Sequence, residues 1–438
     1  MRRIVIVGGG YAGFYTAWKL EKLLRPGEAE VIVIDPLPYM TYQPFLPEVM
    51  AGSVEARHAL VSRRSHLRNT ELIAATVTSV DHAHKTVTVQ PLDGESFDLR
   101  YDIVVVTAGA VTRTFPIPGV LSEAIGLKTV EEAVAVRDRM LSNFDVAATL
   151  EPGAERSRLL TVTFVGGGFA GVEGFGELLS LATSLLKSYP ELSFADLEFR
   201  LVEAQGRILP EVSDKTGAWV VRSLEDRGAR VHLNTQLLSA VDGHVVLSTG
   251  EEFDSDIIVW TAGTTSNPVV AKHTDLPVDE RGRITVGADL RVRDGDSVVV
   301  DAWAAGDDAA VPDLSRNAAR STTVPNAQHA VRQGRKLAAN LAANLRGEGP
   351  SDYVHANLGV VATLGLYTGV FQSGPFVVKG FAAWLMHRGY HVLAVPTWER
   401  KIRVLVVWVL SFVLGRDIVS LEQTRHPRDA FEQVGVRR

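Results

Sequence analysis

The chain has 438 residues, 46% hydrophobic and 22% charged, a balance that suits two to four globular domains and excludes a disordered or collagen-like chain. Forty-five basic and 51 acidic residues leave a net charge of −6, the wrong sign for a nucleic-acid binder. There is no cysteine, so redox disulfides, Cys-ligated iron–sulfur clusters, thiolate zinc sites and cysteine nucleophiles are all excluded.

Residues 4–7 (Ile-Val-Ile-Val) predict a strand buried on both faces. The segment before them is too short for a secretory signal, and no apolar run in the chain approaches the ~20 residues of a spanning helix. Gly8-Gly9-Gly10-Tyr11-Ala12-Gly13 follows as a turn. Phe14, Ala17, Leu20 and Leu24 then mark a helix that stops near Pro26-Gly27. Residues 31–34 are a second strand, ending at Asp35. Residues 103–106 predict another strand, closing at Thr107-Ala108-Gly109.

The same grammar returns about 155 residues later, too long a period for a solenoid repeat. Residues 160–165 form the strand, Gly166-Gly167-Gly168-Phe169-Ala170-Gly171 the turn, and 172–187 the helix. A strand over 197–202 ends at Glu203, and another closes at Thr261-Ala262-Gly263.

Each glycine of a G-x-G-x-x-G turn has a task. The first permits the tight strand-to-helix turn, the second admits a pyrophosphate, and the third lets helix pack on strand. With 38 glycines, one match would arise by chance about 0.3 times, but two matches that each follow an apolar strand would not. Two dinucleotide sites imply electron transfer between FAD and a nicotinamide. The carboxylate of Glu203 repels a 2′-phosphate and favours NADH over NADPH, with Arg207 the neighbour of opposite sense.

The C-terminal third carries the apolar excess, including Trp384, Trp398 and Trp408. Residues 404–415 are apolar except for Ser411, a helical run of ~18 Å that cannot span a bilayer. Arg400, Lys401, Arg403 and Arg416 flank it, and residues 381–392 form an earlier amphipathic stretch. Together they suggest helices lying in a membrane interface, against a core helix or a dimer interface. His387 and His391, four apart, read as a surface pair rather than a metal site. His82 and His84 read as solvated, and Glu177 as a capping or salt-bridging residue. No G-x-S-x-G elbow supports hydrolase chemistry.

These motifs resemble the glutathione-reductase-like flavoproteins with two Rossmann-like dinucleotide-binding domains. Ala304-Ala305-Gly306-Asp307 resembles that fold's A-x-G-D segment, where the Asp contacts FAD. Within the group the chain resembles type II NADH:quinone oxidoreductases over nearly its whole length. Residues 41–52, with Tyr42, resemble the segment running over the flavin. Gly171-Val172-Glu173 resembles its G-[IV]-E, and Ala327-Gln328 with Gln333-Gly334 resembles its quinone segment, in which Arg332 replaces a glutamine. Lys379-Gly380-Phe381 resembles the segment before its membrane-binding helices.

The resemblance implies an α/β fold with an FAD domain in two parts (1–115 and 271–345), an NAD(H) domain (116–270) and a helical C-terminal membrane-interface region (346–438). It implies FAD and NADH as cofactors, no metal, and a menaquinone or ubiquinone as acceptor. The expected location is the cytoplasmic face of the cell membrane, peripherally bound, with homodimerisation open. Glu173, Gln328, Arg332, Gln333 and Lys379 are the expected catalytic and quinone-channel residues. Gly8, Gly10, Tyr11, Ala12, Gly13, Asp35, Tyr42, Ala108, Gly109, Gly306, Asp307 and Ala327 are expected around FAD. Gly166, Gly168, Phe169, Ala170, Gly171, Glu203, Ala262 and Gly263 are expected around NADH. The alternatives are a soluble reductase of a protein acceptor and a slow FAD- and NADH-binding redox sensor.

Overall fold

A computed structural model describes residues 1–315, 321–355 and 359–420. The chain forms two compact units, one of residues 1–41, 60–111 and 264–357 and the other of 42–59, 112–263 and 358–438. Their breaks at 111 and 263 fall a few residues before the expected 115 and 270. Residues 42–59 group with the second unit, and the expected C-terminal region does not stand alone: 346–357 join the first unit and 358–438 the second. Aromatic packing is the reason: the Phe45 ring meets His391 and Trp408 edge-on at 6.1 and 5.9 Å.

The first unit is built on a six-stranded sheet, in the order Arg291–Asp294, Ser297–Ala304, Ile103–Val106, Arg2–Val7, Ala29–Ile34 and Glu71–Ile73. All neighbours are parallel except the first pair. The central strands are runs of Ile and Val buried on both faces, as a covered parallel sheet requires. Register sets Val7 beside Ile34 and Val106, with Ala304 beside Val106. Gly8, Asp35, Thr107 and Ala305 therefore leave the sheet at one edge, its carboxyl ends, where open α/β sheets bind ligands. Helix Tyr11–Leu23 packs on helix Ala327–Leu345. Gly334 makes that approach possible, because a Cβ there would lie 2.5 Å from the Ala12 carbonyl.

The second unit repeats the plan with a wholly parallel sheet: Ala124–Gly126, Ile257–Trp260, Thr161–Val165, Glu198–Val202 and Arg230–His232. Val165 sits beside Val202 and Trp260, so Gly166, Glu203 and Thr261 also share an edge. In each unit a three-stranded antiparallel meander, within 75–100 and 237–254, precedes the strand that closes at Thr-Ala-Gly. This part of the repeat has no glycine motif and was not visible in the sequence pattern. A further meander over 360–379 leads into helices Phe381–Ala394 and Trp398–Leu414.

Candidate cofactor cradles and a buried carboxyl–imidazole cluster

The two glycine turns are wired alike. Gly8 and Gly166 have φ of +95° and +113°, which only glycine adopts freely. A Cβ on Gly13 would collide with the Gly8 carbonyl, and one on Gly171 with the Gly166 carbonyl. The threonine ending the neighbouring strand clasps each turn. Thr107 Oγ1 donates to the carbonyls of Val7 and Gly8 at 3.0 and 2.9 Å. Thr261 Oγ1 donates to those of Val165 and Gly166, both at 3.0 Å. The Gly9 N–H donates to Asp35 Oδ2 and the Gly167 N–H to Glu203 Oε2, each at 2.6 Å. Only the middle glycines are open: a Cβ on Gly10 or Gly168 would meet nothing within 4 Å.

That opening is the fit test for a dinucleotide, and both turns pass it. Gly10 and Gly168 cap their helices without any side-chain hydrogen bond, and neither first turn holds an acid. The first N–H groups and the positive end of the helix dipole are left for a phosphate. Tyr11 and Ala12, and Phe169 and Ala170, are the residues that start these helices.

Two residues that the sequence did not single out complete the first cradle. Arg63 is buried and donates to Asp35 Oδ1 at 2.7 Å, and its guanidinium covers Gly9. Asp308, beside the half-buried Asp307, is fully buried, and neither carboxylate oxygen has a good hydrogen-bond partner. Burial outweighs the nearby Ala108 and Gly109 N–H groups and pushes its carboxyl up to about 7. In the second unit Arg207 is engaged by Asp214 and the Leu209 and Val212 carbonyls.

The second unit also buries a cluster of ionisable groups. Glu173 lies on helix Phe169–Leu185, where its Oε1 accepts the Thr363 N–H at 3.1 Å and lies 3.1 Å from His387 Nε2. Glu177, one turn on, accepts from Thr363 Oγ1 and pairs with Arg416 at 3.2 Å, matching the salt-bridging role expected of it. Glu48, on the short helix Leu46–Met50, accepts from Trp408 Nε1 at 3.2 Å. The Tyr42 hydroxyl lies 2.9 Å from His391 Nδ1. Arg388 lies between the Trp384 and Trp408 rings, 4.5 and 4.6 Å from their centres.

Burial pushes the Glu173 carboxyl up to about 8, despite the Thr363 N–H, and raises Glu48 to about 7 against the opposing Arg388 charge. The same burial, helped by Arg388, holds the His387 imidazole down at about 3. His387 and His391 were expected on the surface, and the structure corrects this: both rings are buried. His82 is likewise half-buried, held by Tyr101 and the Val300 carbonyl, while His84 is exposed beside Asp81.

The remaining expected residues are dispersed. Gln333 was expected at a quinone channel, but its amide is used inside the first unit. It accepts from the Gly306 N–H at 2.8 Å and donates to Thr323 at 3.1 Å, fixing a turn where Gly306 has φ +98°. Arg332 pairs with His355. Ala327 and Gln328 open their helix behind Asn326, whose side chain caps it. Lys379 is exposed, its Nζ 4.9 Å above the Trp219 ring. Gly109 and Gly263 have φ of +70° and +99°, and their carbonyls accept from Asn267 and Arg113.

A model of pyridine nucleotide-disulphide oxidoreductases matches residues 2–334, three quarters of the chain. The chain belongs to this family. It is a member without cysteine, so it cannot use the disulphide in the family's description. Among curated members, it is 27% identical to the type II NADH:quinone oxidoreductase Ndh of Mycobacterium tuberculosis, covering 99% of this chain and 93% of that one. It is 26% identical to a probable NADH dehydrogenase of Dictyostelium discoideum, over 95% of this chain and 91% of that one. In fold it is similar to NDH2 of Plasmodium falciparum in complex with NADH, with a TM-score of 0.85 at 17% identity over 95% and 99% of the two chains. It is also similar to the sulfide:quinone oxidoreductase of Aquifex aeolicus, with a TM-score of 0.70 at 17% identity over 95% and 96%. The doubled α/β architecture of this pyridine nucleotide-disulphide oxidoreductase is thus the one expected from its two fingerprints.

Proposed function

We propose that this protein is an FAD-dependent enzyme that oxidises NADH and reduces a membrane quinone. The observation carrying this is a doubled dinucleotide cradle in a chain with no thiol. Electrons entering from a nicotinamide have no disulphide of this chain to reach, so they leave to an external acceptor. The name of the Mycobacterium tuberculosis relative, a type II NADH:quinone oxidoreductase, supports a quinone as that acceptor.

Gly8, Gly10, Gly13 and Asp35 hold FAD, whose isoalloxazine supplies the two-electron exchange when bound. Gly166, Gly168 and Gly171 hold NADH, with Glu203 facing its ribose. Arg207 is already paired with Asp214 and the Val212 carbonyl, so it is not the cation that would favour a 2′-phosphate. Glu173, kept protonated by burial at neutral pH, is the residue that holds a proton for the acceptor. The test is one anaerobic absorbance trace. The flavin band should bleach with NADH and return with a soluble quinone. A band that stays bleached refutes the quinone, and one that never bleaches refutes the NADH site.

The protein acts at a membrane surface, on the cytoplasmic face. No helix among the described residues is long and apolar enough to cross a bilayer. Helix Trp398–Leu414 instead buries Val404 and turns Leu405, Val409 and Phe412 outward, 52%, 57% and 72% exposed. Such a stripe with basic flanks suits the headgroup region. Substituting these three by Asp should weaken vesicle binding about a hundredfold or more, at roughly 1.5–3 kcal/mol per buried side chain. Ferricyanide reduction should be unchanged. Unaltered vesicle binding refutes the interfacial helix, and loss of a dimer instead assigns the face to a second copy.

A further inference from the structure

The two cradles, alike in their turns, differ beside the acid. Each acid accepts two backbone N–H groups between 2.6 and 2.9 Å: Asp35 from Gly9 and Leu37, Glu203 from Gly167 and Gln205. Asp35 has a third donor, and that donor is a cation. Arg63 Nη2 lies 2.7 Å from its Oδ1. Among the described residues no cation bonds to Glu203. The room over Gly167 is filled by Ile208, whose Cγ2 would lie 2.5 Å from a Cβ on that glycine.

The backbone delivers Arg63 to its place. Strand Leu60–Ser62 pairs with Tyr39–Thr41, setting Ser62 beside Tyr39, and the chain then turns into the short helix Arg63–His66. The Arg63 side chain is 3% exposed and ends on Gly9, where a Cβ would lie 1.6 Å from Nη1. The second position of G-x-G-x-x-G tolerates many residues. Here it is glycine, and the space a side chain would need holds the guanidinium. A buried ion pair returns little stability by itself. Beside a pyrophosphate it has another use.

We propose that Arg63 is a positioning residue for FAD that acts through Asp35: it neutralises the acid that serves the ribose, so that the same cradle can hold an anionic pyrophosphate. The proposal rests on the FAD reading above. A ribose hydroxyl needs an acceptor, while a pyrophosphate needs negative charge kept away. A bare carboxylate meets the first need and fails the second. Two like charges ~7 Å apart, at the effective dielectric near a protein surface, shift an equilibrium by roughly fiftyfold. Arg63 cancels that repulsion and leaves the acceptor in place. A carboxylate offers about four lone-pair sites, and Gly9, Leu37 and Arg63 take three on Asp35. The three donors also fix the direction in which the remaining one points.

The test is the FAD dissociation constant of flavin-stripped protein, read by quenching of flavin fluorescence. Arg63→Met keeps an unbranched side chain and removes the charge, and it should weaken FAD about fiftyfold. Adding Asp35→Asn removes the stranded carboxylate and keeps an acceptor, and it should bring FAD back to within about fivefold of wild type. A purely structural Arg63 predicts the opposite order, because a second lesion in the cradle would weaken binding further. FAD binding by Arg63→Met within about threefold of wild type, or a double variant no tighter than the single one, overturns the proposal. Should Arg63→Met fail to fold, the double variant, which buries no unpaired charge, is read against wild type. Binding within about fivefold then supports the proposal, and anything weaker overturns it. Flavin-stripped wild type that binds no FAD refutes the FAD reading itself, which is a different result from an unaffected variant.

Discussion

Gly13→Val is expected to yield a protein without flavin and with its first unit destabilised by about 3 kcal/mol or more. The new side chain would overlap the Gly8 carbonyl and approach Thr107 Oγ1 at 2.8 Å. Neither can retreat, because Thr107 bonds to that carbonyl at 2.9 Å and the strands on both sides are buried Ile and Val. Gly10→Val makes the informative contrast. Nothing lies within 4 Å of a Cβ there, so the apoprotein should melt within a few degrees of wild type yet bind no flavin. The checks are the flavin-to-protein absorbance ratio and a circular-dichroism melt of each apoprotein. A flavin-replete Gly10 variant would sink the assignment of the first cradle.

Stability toward urea should peak between about pH 4.5 and 6.5 and fall on both sides. On the alkaline side the cause is raised carboxyls: Glu173 at about 8, Glu48 at about 7 and Asp308 at about 7. Each keeps its proton in the folded protein where the unfolded chain has lost it. Stability is therefore lost as pH rises through the folded values. On the acid side the cause is His387, at about 3 against an ordinary 6.5, with His391 shifted the same way. The unfolded chain takes these protons first, so stability falls with falling pH, and between 4.5 and 6.5 the two imidazoles offset two of the three carboxyls, leaving a shallow decline. Each such carboxyl contributes roughly 1.4 kcal/mol per pH unit while the two states differ by a proton. Glu173→Gln should flatten the alkaline limb between pH 6.5 and 8. An unchanged slope in that variant would show that Glu173 is not held protonated.

What was legible in the sequence was what local sterics dictate. Gly8, Gly10, Gly13 and their counterparts sit at fixed spacing because a strand-to-helix turn leaves no alternative, and the acids at 35 and 203 end strands whose Ile and Val pattern is plain. Apolar spacing showed the first terminal helix nearly whole, at 381–392 against 381–394, but it showed the second only from 404, six residues after its start at Trp398. What escaped depends on chain segments far apart. His387 and His391, with Arg388 between them, read as an exposed pair until Tyr42, Phe45 and Glu48 pack over them from more than 300 positions away. Gln333 beside Gly334 resembles a ligand-facing motif, yet its side chain closes the Gly306 turn while its neighbour admits Ala12. Arg63 had no motif at all. Glu48, a lone acid between Leu46-Pro47 and Val49-Met50, carried the one usable signal: a charge in an apolar window is exposed or has a task.

The threonine clasps at 107 and 261 bear on how the cradles acquire their ligands. Each turn is held by its own strand through bonds that involve no nucleotide. The loop has therefore lost its conformational freedom during folding, and a dinucleotide that arrives later need not impose that order. Its contacts go into affinity rather than into shaping the receptor. A cofactor that stays and a cosubstrate that comes and goes can thus share one architecture, and the difference between them must be written in the surroundings of each turn, not in the turn itself.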